Sequence, residues 1–575
     1  MTDRPDLVPA ELRAAWVDAG LTPGVDLRTL FDEQVKRHPD KVAVIDDEKS
    51  TTYAELSGMV DRIAGLLQRW GIRPGEIVAL QLPNVAEACA ADLAVATLGA
   101  ICLPYPVLYR HNEVRSLLAR SGAVACLCAR RLRDFDYEEM LADLAPELPA
   151  LRHVAVLGGS GATDAVGQIA TGGAGGPIGA QNATGCTSAV ADGPIRADSI
   201  DAVLVAPGPP PPRPAVTVGP HDPARILVTS GTEAAPKMVL YSHAAIGGGI
   251  GNIFGALRPD DDTRFLLLPP LSTGFGSLGT FAGVARFGVT LVVTSAFDPA
   301  GVIKLVERER VTHLLAVPTM LAMMLAAGPG DADFSSLRVV GSFGAAMSED
   351  RVRATLETFG CRFVNGYGCS DGAVSLTGWD DPPEKNAATV GRPSPATTEI
   401  RILDDGDAEL PPGEVGEICA RGPMSPMGYL GSPELDARYR FDGGWVRTGD
   451  LGFLDTDGYL HITGRKKDII VRGGYNISPA ETEAALCRHP AIAETACVGY
   501  PDERLGERMA AFVVLTSGAV APTLPELEEF LLADGLARIK LPERLEVVDA
   551  MPLNPTGKIL KRVLRERFEP TAAQS

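Results

Sequence analysis

The chain has 575 residues, 45% of them hydrophobic, more than one hydrophobic core ordinarily supports, so at least two domains are expected. Its 53 basic and 73 acidic residues leave a formal charge of −20, which argues against a nucleic-acid partner or an anionic membrane surface, because both reward a basic face. No window approaches the roughly 18 consecutive apolar residues of a membrane span, and Met1 to Ala10 carries acidic residues and prolines where a signal peptide has basic and apolar regions, so a cytoplasmic location is expected.

In chain order, Tyr53 to Trp70 reads as an amphipathic helix with Leu56, Val60, Ile63, Leu66 and Leu67 on one face. Glu76 to Gln81 follows as a strand and Val85 to Gly99 as a second helix rich in Ala and Leu. Cys126 and Cys128 lie in the apolar run Ala123 to Ala129, where strand alternation sends both to one face. The ten cysteines are otherwise scattered, with no second pair or histidine cluster to complete a zinc site, so buried free thiols are expected. From Gly158 to Pro220 the composition shifts to Gly, Ala, Ser and Pro with little apolar periodicity. Such a stretch buries too little surface to offset its ordering entropy and reads as a mobile surface insertion. Strands and helices then alternate from Phe265 to Phe363, with Thr290 to Ser295 and Thr312 to Val317 as buried strands. The pattern is α/β with mainly parallel sheets.

Four polar motifs stand out against this apolar frame. The first, Thr229-Ser230-Gly231-Thr232-Glu233-Ala234-Ala235-Pro236-Lys237, follows a short buried strand at Arg225 to Val228. A hydroxyl-rich loop leaving a strand can aim backbone N–H groups and hydroxyls at anionic oxygens, with Lys237 as countercharge. It is not a Walker A loop, since no glycine precedes the lysine and Met238 follows it where Ser or Thr would hold magnesium. The second, Asn365-Gly366-Tyr367-Gly368-Cys369-Ser370-Asp371, is expected to gather an aromatic face, a hydroxyl and a carboxylate in one turn after a strand at Cys361 to Val364. The third runs from Trp445-Val446-Arg447-Thr448-Gly449-Asp450 through Gly464-Arg465-Lys466-Lys467-Asp468 to Gly473-Gly474-Tyr475-Asn476-Ile477-Ser478-Pro479-Ala480-Glu481. Asn554-Pro555-Thr556-Gly557-Lys558 is the fourth.

In this order the motifs resemble the core motifs of the adenylate-forming superfamily, which holds acyl-CoA and aryl-CoA ligases, adenylation domains and luciferases; the resemblance runs from about Leu27 to Phe568. It implies an α/β fold with a large N-terminal domain of layered, mainly parallel sheets and helices (1–466) and a small mobile C-terminal lid (467–575). It also implies an acyl-CoA ligase that uses ATP or acyl-AMP, CoA and magnesium. By position, Thr229, Ser230, Gly231, Thr232 and Lys237 match the phosphate loop, and Asn365, Gly366, Tyr367, Gly368 and Ser370 the nucleotide-binding turn. Gly344 falls beside the nucleotide. Tyr367 matches the residue that stacks on adenine, Asp371 the carboxylate that supports magnesium, and Asp450 the acceptor of both ribose hydroxyls. Arg465 would assist at the ribose. Lys467 matches the hinge, although a solvated charge cluster would read the same way locally. Lys558 would contact the carboxylate and phosphate oxygens during adenylation. Gly473 and Gly474 match the loop that meets the thiol arm of CoA, and a hairpin needing positive φ is compatible with that role. Thr273, Phe275, Gly341, Ala345 and Ala346 match the acyl pocket, where small side chains suggest room for a bulky, mostly apolar acid.

Departures from the pattern are informative. Against the family pattern, Ala234 stands where Gly or Ser is usual and Met238 where Gly is usual, Glu233 adds an anion, and Ser370-Asp371 replaces Thr-Glu, shortening the carboxylate's reach by about 1.5 Å. These weaken the triphosphate half of the site while Asp450, Arg465, Lys467 and Gly474 are intact. An enzyme better at using an acyl-adenylate than at making one is expected, with a separate adenylating ligase as a candidate partner. The variant set most resembles acyl-CoA ligases of bacterial natural-product pathways, such as those activating the diterpenoid acids of platensimycin and platencin. A complete two-step synthetase, a ligase loading a carrier protein, and a non-catalytic binder remain as alternatives. The absence of a carrier-domain Ser motif favours free CoA, and Lys558 with Asp450 argues against a binder.

Overall fold

The computed structural model describes residues 6–158, 197–213, 215–229, 236–344, 347, 349–472, 475–502, 504–554 and 558–568. Two eight-stranded sheets form the large part of the chain. One runs, in spatial order, through Gly428–Tyr429, Lys237–Ser242, Pro223–Thr229, Ile101–Pro104, Ile77–Gln81, Ala125–Ala129, His153–Leu157 and Ala197–Ser199. The other runs through Val374–Leu376, Arg362–Gly368, Val339–Phe343, His313–Ala316, Arg264–Leu267, Thr290–Val292, Val42–Ile45 and Ser50–Thr52. Pairing is parallel through the middle of both and antiparallel at the Val374–Leu376 and Ser50–Thr52 edges and where Gly428–Tyr429, Lys237–Ser242 and Pro223–Thr229 meet.

The reason for this layering lies in the helices. Ala86–Thr97 is buried on every side: small apolar residues, Ala above all, leave it no continuous polar face, and its Glu87 and Asp92 are paired with Lys49 and Arg225. With Tyr53–Arg69, whose Leu56, Val60, Ile63 and Leu67 are fully buried, it fills the space between the two sheets. Both helices start where the sequence places them. A reciprocal capping box between Thr52 and Glu55 fixes the first turn of Tyr53–Arg69. A third, antiparallel sheet holds Glu399–Leu403, Gly416–Arg421, Trp445–Leu454 and Leu460–Arg465. After Lys466–Asp468 the chain builds a smaller unit around Ile492–Asp502 and Gly506–Leu515, with its own apolar clusters.

Three expectations change. The Gly158 to Pro220 stretch is not simply an unstructured insertion. Ala197–Ser199 extends the first sheet in parallel with His153–Leu157, and the short helix Ile200–Leu204 packs against Tyr53–Arg69. Ile200 is 1% exposed, with Val203 and Leu204 packed beside it at helical spacing, a pattern too short to register within a Gly/Pro-rich composition. Residues 159–196 lie outside the described residues. The second change is that Arg362–Gly368 is one continuous strand, so Asn365 to Gly368 are strand residues and the turn begins at Cys369.

The third change concerns Met238. It sits on Lys237–Ser242, which pairs back antiparallel onto Pro223–Thr229, and its side chain is 2% exposed in the apolar cluster that also buries Ile226, Leu240, Cys126 and Cys128. It faces the core and does not screen the phosphate loop. Met238→Gly is therefore expected to leave a cavity and cost at least about 3 kcal/mol in urea unfolding, with no gain in activity. An undisturbed unfolding midpoint would contradict this packing. Among the described residues no helix is long and apolar enough to cross a membrane.

Candidate active site

The site gathers at the C-terminal ends of the parallel strands Val339–Phe343 and Arg362–Gly368, where Ser342 pairs with Asn365 and Phe343 with Gly366. Strand alternation splits the motif between two faces. Phe343 and Val364 belong to the inner core, whereas Phe363 and Val340 belong to the outer one, so Asn365 and Tyr367 share the outer face while Gly366 lies under Phe343.

On the outer face the Tyr367 hydroxyl donates to Asp450 Oδ2 at 2.7 Å, and Arg465 Nε lies 2.6 Å from Asp450 Oδ1. Asp450 and Arg465 are cross-strand partners, which is why two residues 15 apart meet so closely. Asp450 is 3% exposed, and its carboxylate still has lone pairs to offer two hydroxyls. Asn365 donates through Nδ2 to the Thr389 carbonyl at 3.0 Å, but its Oδ1 is buried with no partner among the described residues, as is the neighbouring Ser342 Oγ. An orphan acceptor costs free energy until something donates to it, so the pair fits the exocyclic amine of a nucleobase.

Lys558 comes to this platform from the C-terminal unit. Asn554 and Lys558 close a tight turn, Lys558 N–H donating to Asn554 Oδ1 and Asn554 N–H to the Lys558 carbonyl, both at 2.8 Å. The residue keeps solvent access, yet the surrounding protein desolvates its ammonium and Arg465 repels it, lowering its pKa to about 8 against the pull of Asp450 and Asp468. Lys467 is lowered to about 8 as well, by desolvation and then by Arg465. Three cations, Arg465, Lys467 and Lys558, thus lie close together around Asp450 and Asp468, an arrangement that suits a polyanion.

Lys237 pairs with Thr229 across the hairpin, and Arg120 donates to the Pro236 carbonyl at 2.9 Å, pinning the end of the loop. The Lys237 ammonium lies 3.7 Å from the Tyr439 ring centre and 5.3 Å from that of Tyr429, within cation–π range of both. Tyr429 also donates its hydroxyl to Asp371, and Tyr241 donates to the Ser370 carbonyl at 2.8 Å, so the two middle residues of the short turn are held. Asp371 can offer a magnesium ion one carboxylate with its Oδ1 already engaged, which fits an ion that takes most of its ligands from phosphates and water.

On the inner face, Phe343 tilts against Phe275 with ring centres 5.0 Å apart. A side chain at Gly366 would meet Phe343 at 2.0 Å, and one at Gly341 would meet Leu315 at 2.2 Å. Gly344 adopts φ +99°, a backbone state that favours glycine, beside Val317. The Thr273 hydroxyl donates to the Pro270 carbonyl at 2.8 Å and accepts from Gly276 N–H at 2.9 Å, so it braces its own loop. Gly368 packs beside Val374. Ser230, Gly231, Thr232, Ala345, Ala346, Gly473 and Gly474 lie outside the described residues. Reading the sequence alone missed Phe343, whose signal was a single large ring in a run of small residues. It also missed Tyr429 and Tyr439, roughly 200 positions from Lys237, for which no local signal exists.

A model of the AMP-binding enzyme family matches residues 31–430, and one of the AMP-binding enzyme C-terminal domain matches 481–558. Triostin synthetase I of Streptomyces triostinicus is 35% identical over 564 residues, 97% of each chain. A 2-hydroxy-7-methoxy-5-methyl-1-naphthoate–CoA ligase of Streptomyces carzinostaticus is 31% identical over 97% of this chain and 96% of that one. Among solved structures, the amide bond synthetase McbA of Marinactinospora thermotolerans superimposes with a TM-score of 0.78 at 30% identity, covering 94% of this chain and 99% of that one. ATP-bound MatB of Rhodopseudomonas palustris gives 0.79 at 25% identity, covering 95% and 99%.

Proposed function

Because the chain belongs to the AMP-binding enzyme family and is an adenylate-forming ligase, we propose that it joins a bulky, mostly apolar carboxylic acid to CoA through an acyl-adenylate, with adenylation the slower half-reaction. The observation that carries this reading is the placement of Lys558 against the Asp450–Arg465–Tyr367 cluster. A mobile cation delivered to a ribose-binding carboxylate is what attack of a carboxylate on the α-phosphorus needs, since two anions must be brought together.

In the first step Asp450 would hold the ribose hydroxyls, Asn365 the adenine amine, and Thr229, the loop after it and Lys237 the outgoing pyrophosphate. Asp371 would contribute one ligand to magnesium, which neutralises phosphate charge when bound. The acid would lie on the inner face against Phe275 and Phe343. Those rings argue for an apolar or aryl acid and take up part of the room that the small residues around them suggested. In the second step the C-terminal unit would turn about Lys467, with the boundary between 466 and 467, withdrawing Lys558 and bringing Gly473 and Gly474 to the thiol of CoA. Attack of that thiol on the acyl carbon would release AMP.

Slow adenylation is supported by the short Asp371, already engaged by Tyr429, and by the parking of Lys237 on tyrosine rings. The test compares thioester formation from acid, ATP and CoA with that from synthetic acyl-adenylate and CoA. The second route is expected to be at least about tenfold faster, and Asp371→Glu to raise acid-dependent pyrophosphate exchange by about tenfold. Equal rates, with no gain in the variant, would make this a complete ligase with balanced steps. Transfer to a holo carrier protein in preference to CoA would move it to the carrier-loading class, to which the name of one relative, a salicyl-AMP ligase / salicyl-S-ArCP synthetase of Mycobacterium tuberculosis, points.

A further inference from the structure

A charged pair lies in the middle of the apolar layer between the two sheets. Arg225, on the strand that leads into the phosphate loop, is 0% exposed and donates through Nη1 to Asp92 of the helix Ala86–Thr97, itself 4% exposed. Cys102 Sγ donates to the same carboxylate at 2.8 Å, and the guanidinium lies 5.1 Å from the centre of the Phe281 ring. Among the described residues Arg225 Nε has no partner. A buried ion pair of this kind rarely outperforms two apolar side chains of the same volume as a source of stability, because desolvating the charges offsets their attraction.

The remaining donor of Arg225 shows what the pair reaches. Nη2 donates to the Leu271 carbonyl at 2.9 Å, and the N–H of the same residue donates to Asn84 Oδ1, also at 2.9 Å. Both polar groups of Leu271 are therefore held by side chains from elsewhere in the fold. From Pro270 to Ser277 the loop is then braced internally. Thr273 N–H and Oγ1 both donate to the Pro270 carbonyl, Gly276 N–H donates to Thr273 Oγ1, and Ser277 N–H to the Thr273 carbonyl. Gly276 has no room for a side chain, since a Cβ there would meet the Pro270 carbonyl oxygen at 2.1 Å. The loop is one stiff piece fastened at Leu271, and it ends in Phe275 against Phe343.

We infer that Arg225, Asp92 and Asn84 are positioning residues that set the acyl-side wall of the site by clamping the Leu271 peptide, so that acid selectivity is adjusted from a buried charge pair outside the pocket. The inference rests on the reading of Phe275 and Phe343 as the acyl wall. Arg225 also sits on the strand carrying Thr229, and Leu227 of that strand approaches Gly274 closely enough that a Cβ there would be 3.2 Å from it. The clamp thereby ties the acid wall to the entry of the phosphate loop.

Two variants test the clamp. Arg225→Met with Asp92→Leu removes both charges together and keeps the interior filled, so folding is expected to survive with a melting temperature equal to or above that of the unmodified protein. Asn84→Ala leaves the charges and removes the other half of the clamp. With 1-naphthoic acid as probe, both are expected to raise the KM for the acid about tenfold while the KM for ATP stays within about twofold, and to speed amide hydrogen exchange over residues 270–277. An unchanged acid KM in Asn84→Ala and in the double variant would overturn the inference, as would acid and ATP KM values rising together. If the unmodified protein forms no adenylate with any acid, the reading of the site fails, and hydrogen exchange then decides the clamp alone. Exchange at 270–277 as slow as in the unmodified protein would overturn it.

Discussion

Lys558→Ala is expected to lower acid-dependent pyrophosphate exchange by a hundredfold to a thousandfold while thioester formation from a supplied acyl-adenylate and CoA changes by less than about threefold. On the proposed reading Lys558 would bring a point charge to the oxygens of the carboxylate and α-phosphate in the first half-reaction and would be withdrawn with the C-terminal unit before the second. An interaction made in one transition state and absent from the other splits the two rates. Arginine is expected to be a poor replacement, since a planar guanidinium fork does not reproduce the compact point charge of an ammonium. The unmodified protein carries a second signature of the same group. Desolvation, with Arg465 adding to it, lowers the Lys558 pKa to about 8, so the residue is charged below that pH and neutral above it. In the pH profile of adenylation, kcat/KM for ATP should therefore fall as pH rises through about 8. The break in kcat should lie higher, because bound triphosphate favours the charged form. Equal losses of both half-reactions in Lys558→Ala would place this lysine in the fold and not in the chemistry.

Lys467→Pro is expected to suppress thioester formation from acyl-adenylate and CoA by about a hundredfold and adenylation by far less. The ion pairs on either side would concentrate such a turn at one residue. Lys466 is tied to the large domain through Asp405 at 2.9 Å and Glu417 at 3.3 Å, whereas Asp468 is tied to the C-terminal unit through Arg565 at 2.9 Å. Proline between these anchors holds φ near −65° and removes a backbone donor. Lys558 already stands near Asp450 and Arg465, and Arg351 of the large domain donates to the Ala493 carbonyl of the C-terminal unit at 2.7 Å, so on the proposed reading the position retained would be the adenylating one. Measuring the two half-reactions separately checks this. Comparable losses in both would remove the hinge from Lys467.

The sequence determined the local elements and the order of the chemistry. The capping box at Thr52 and Glu55, the apolar stripe through Leu56, Val60, Ile63 and Leu67, and the all-round burial of Ala86–Thr97 are written in side-chain periodicity, which the backbone repeats of helix and strand convert directly into faces. The motifs ending in Lys237, Asp371, Asp450, Arg465 and Lys558 were legible for a related reason, since each is a short run whose residue types have few other uses together. Only the tertiary structure decided which way those residues look and what holds them. Met238 adjoins Lys237 in sequence but turns into the core, because neighbours on a strand face opposite sides. Tyr429 and Tyr439 reach Lys237, Arg225 reaches Asp92 and Leu271, and Lys558 reaches Asp450 across separations of about 50 to 200 residues. Contacts of that kind leave no period in a sequence, since they depend on sheet order and chain crossings, which no local pattern encodes.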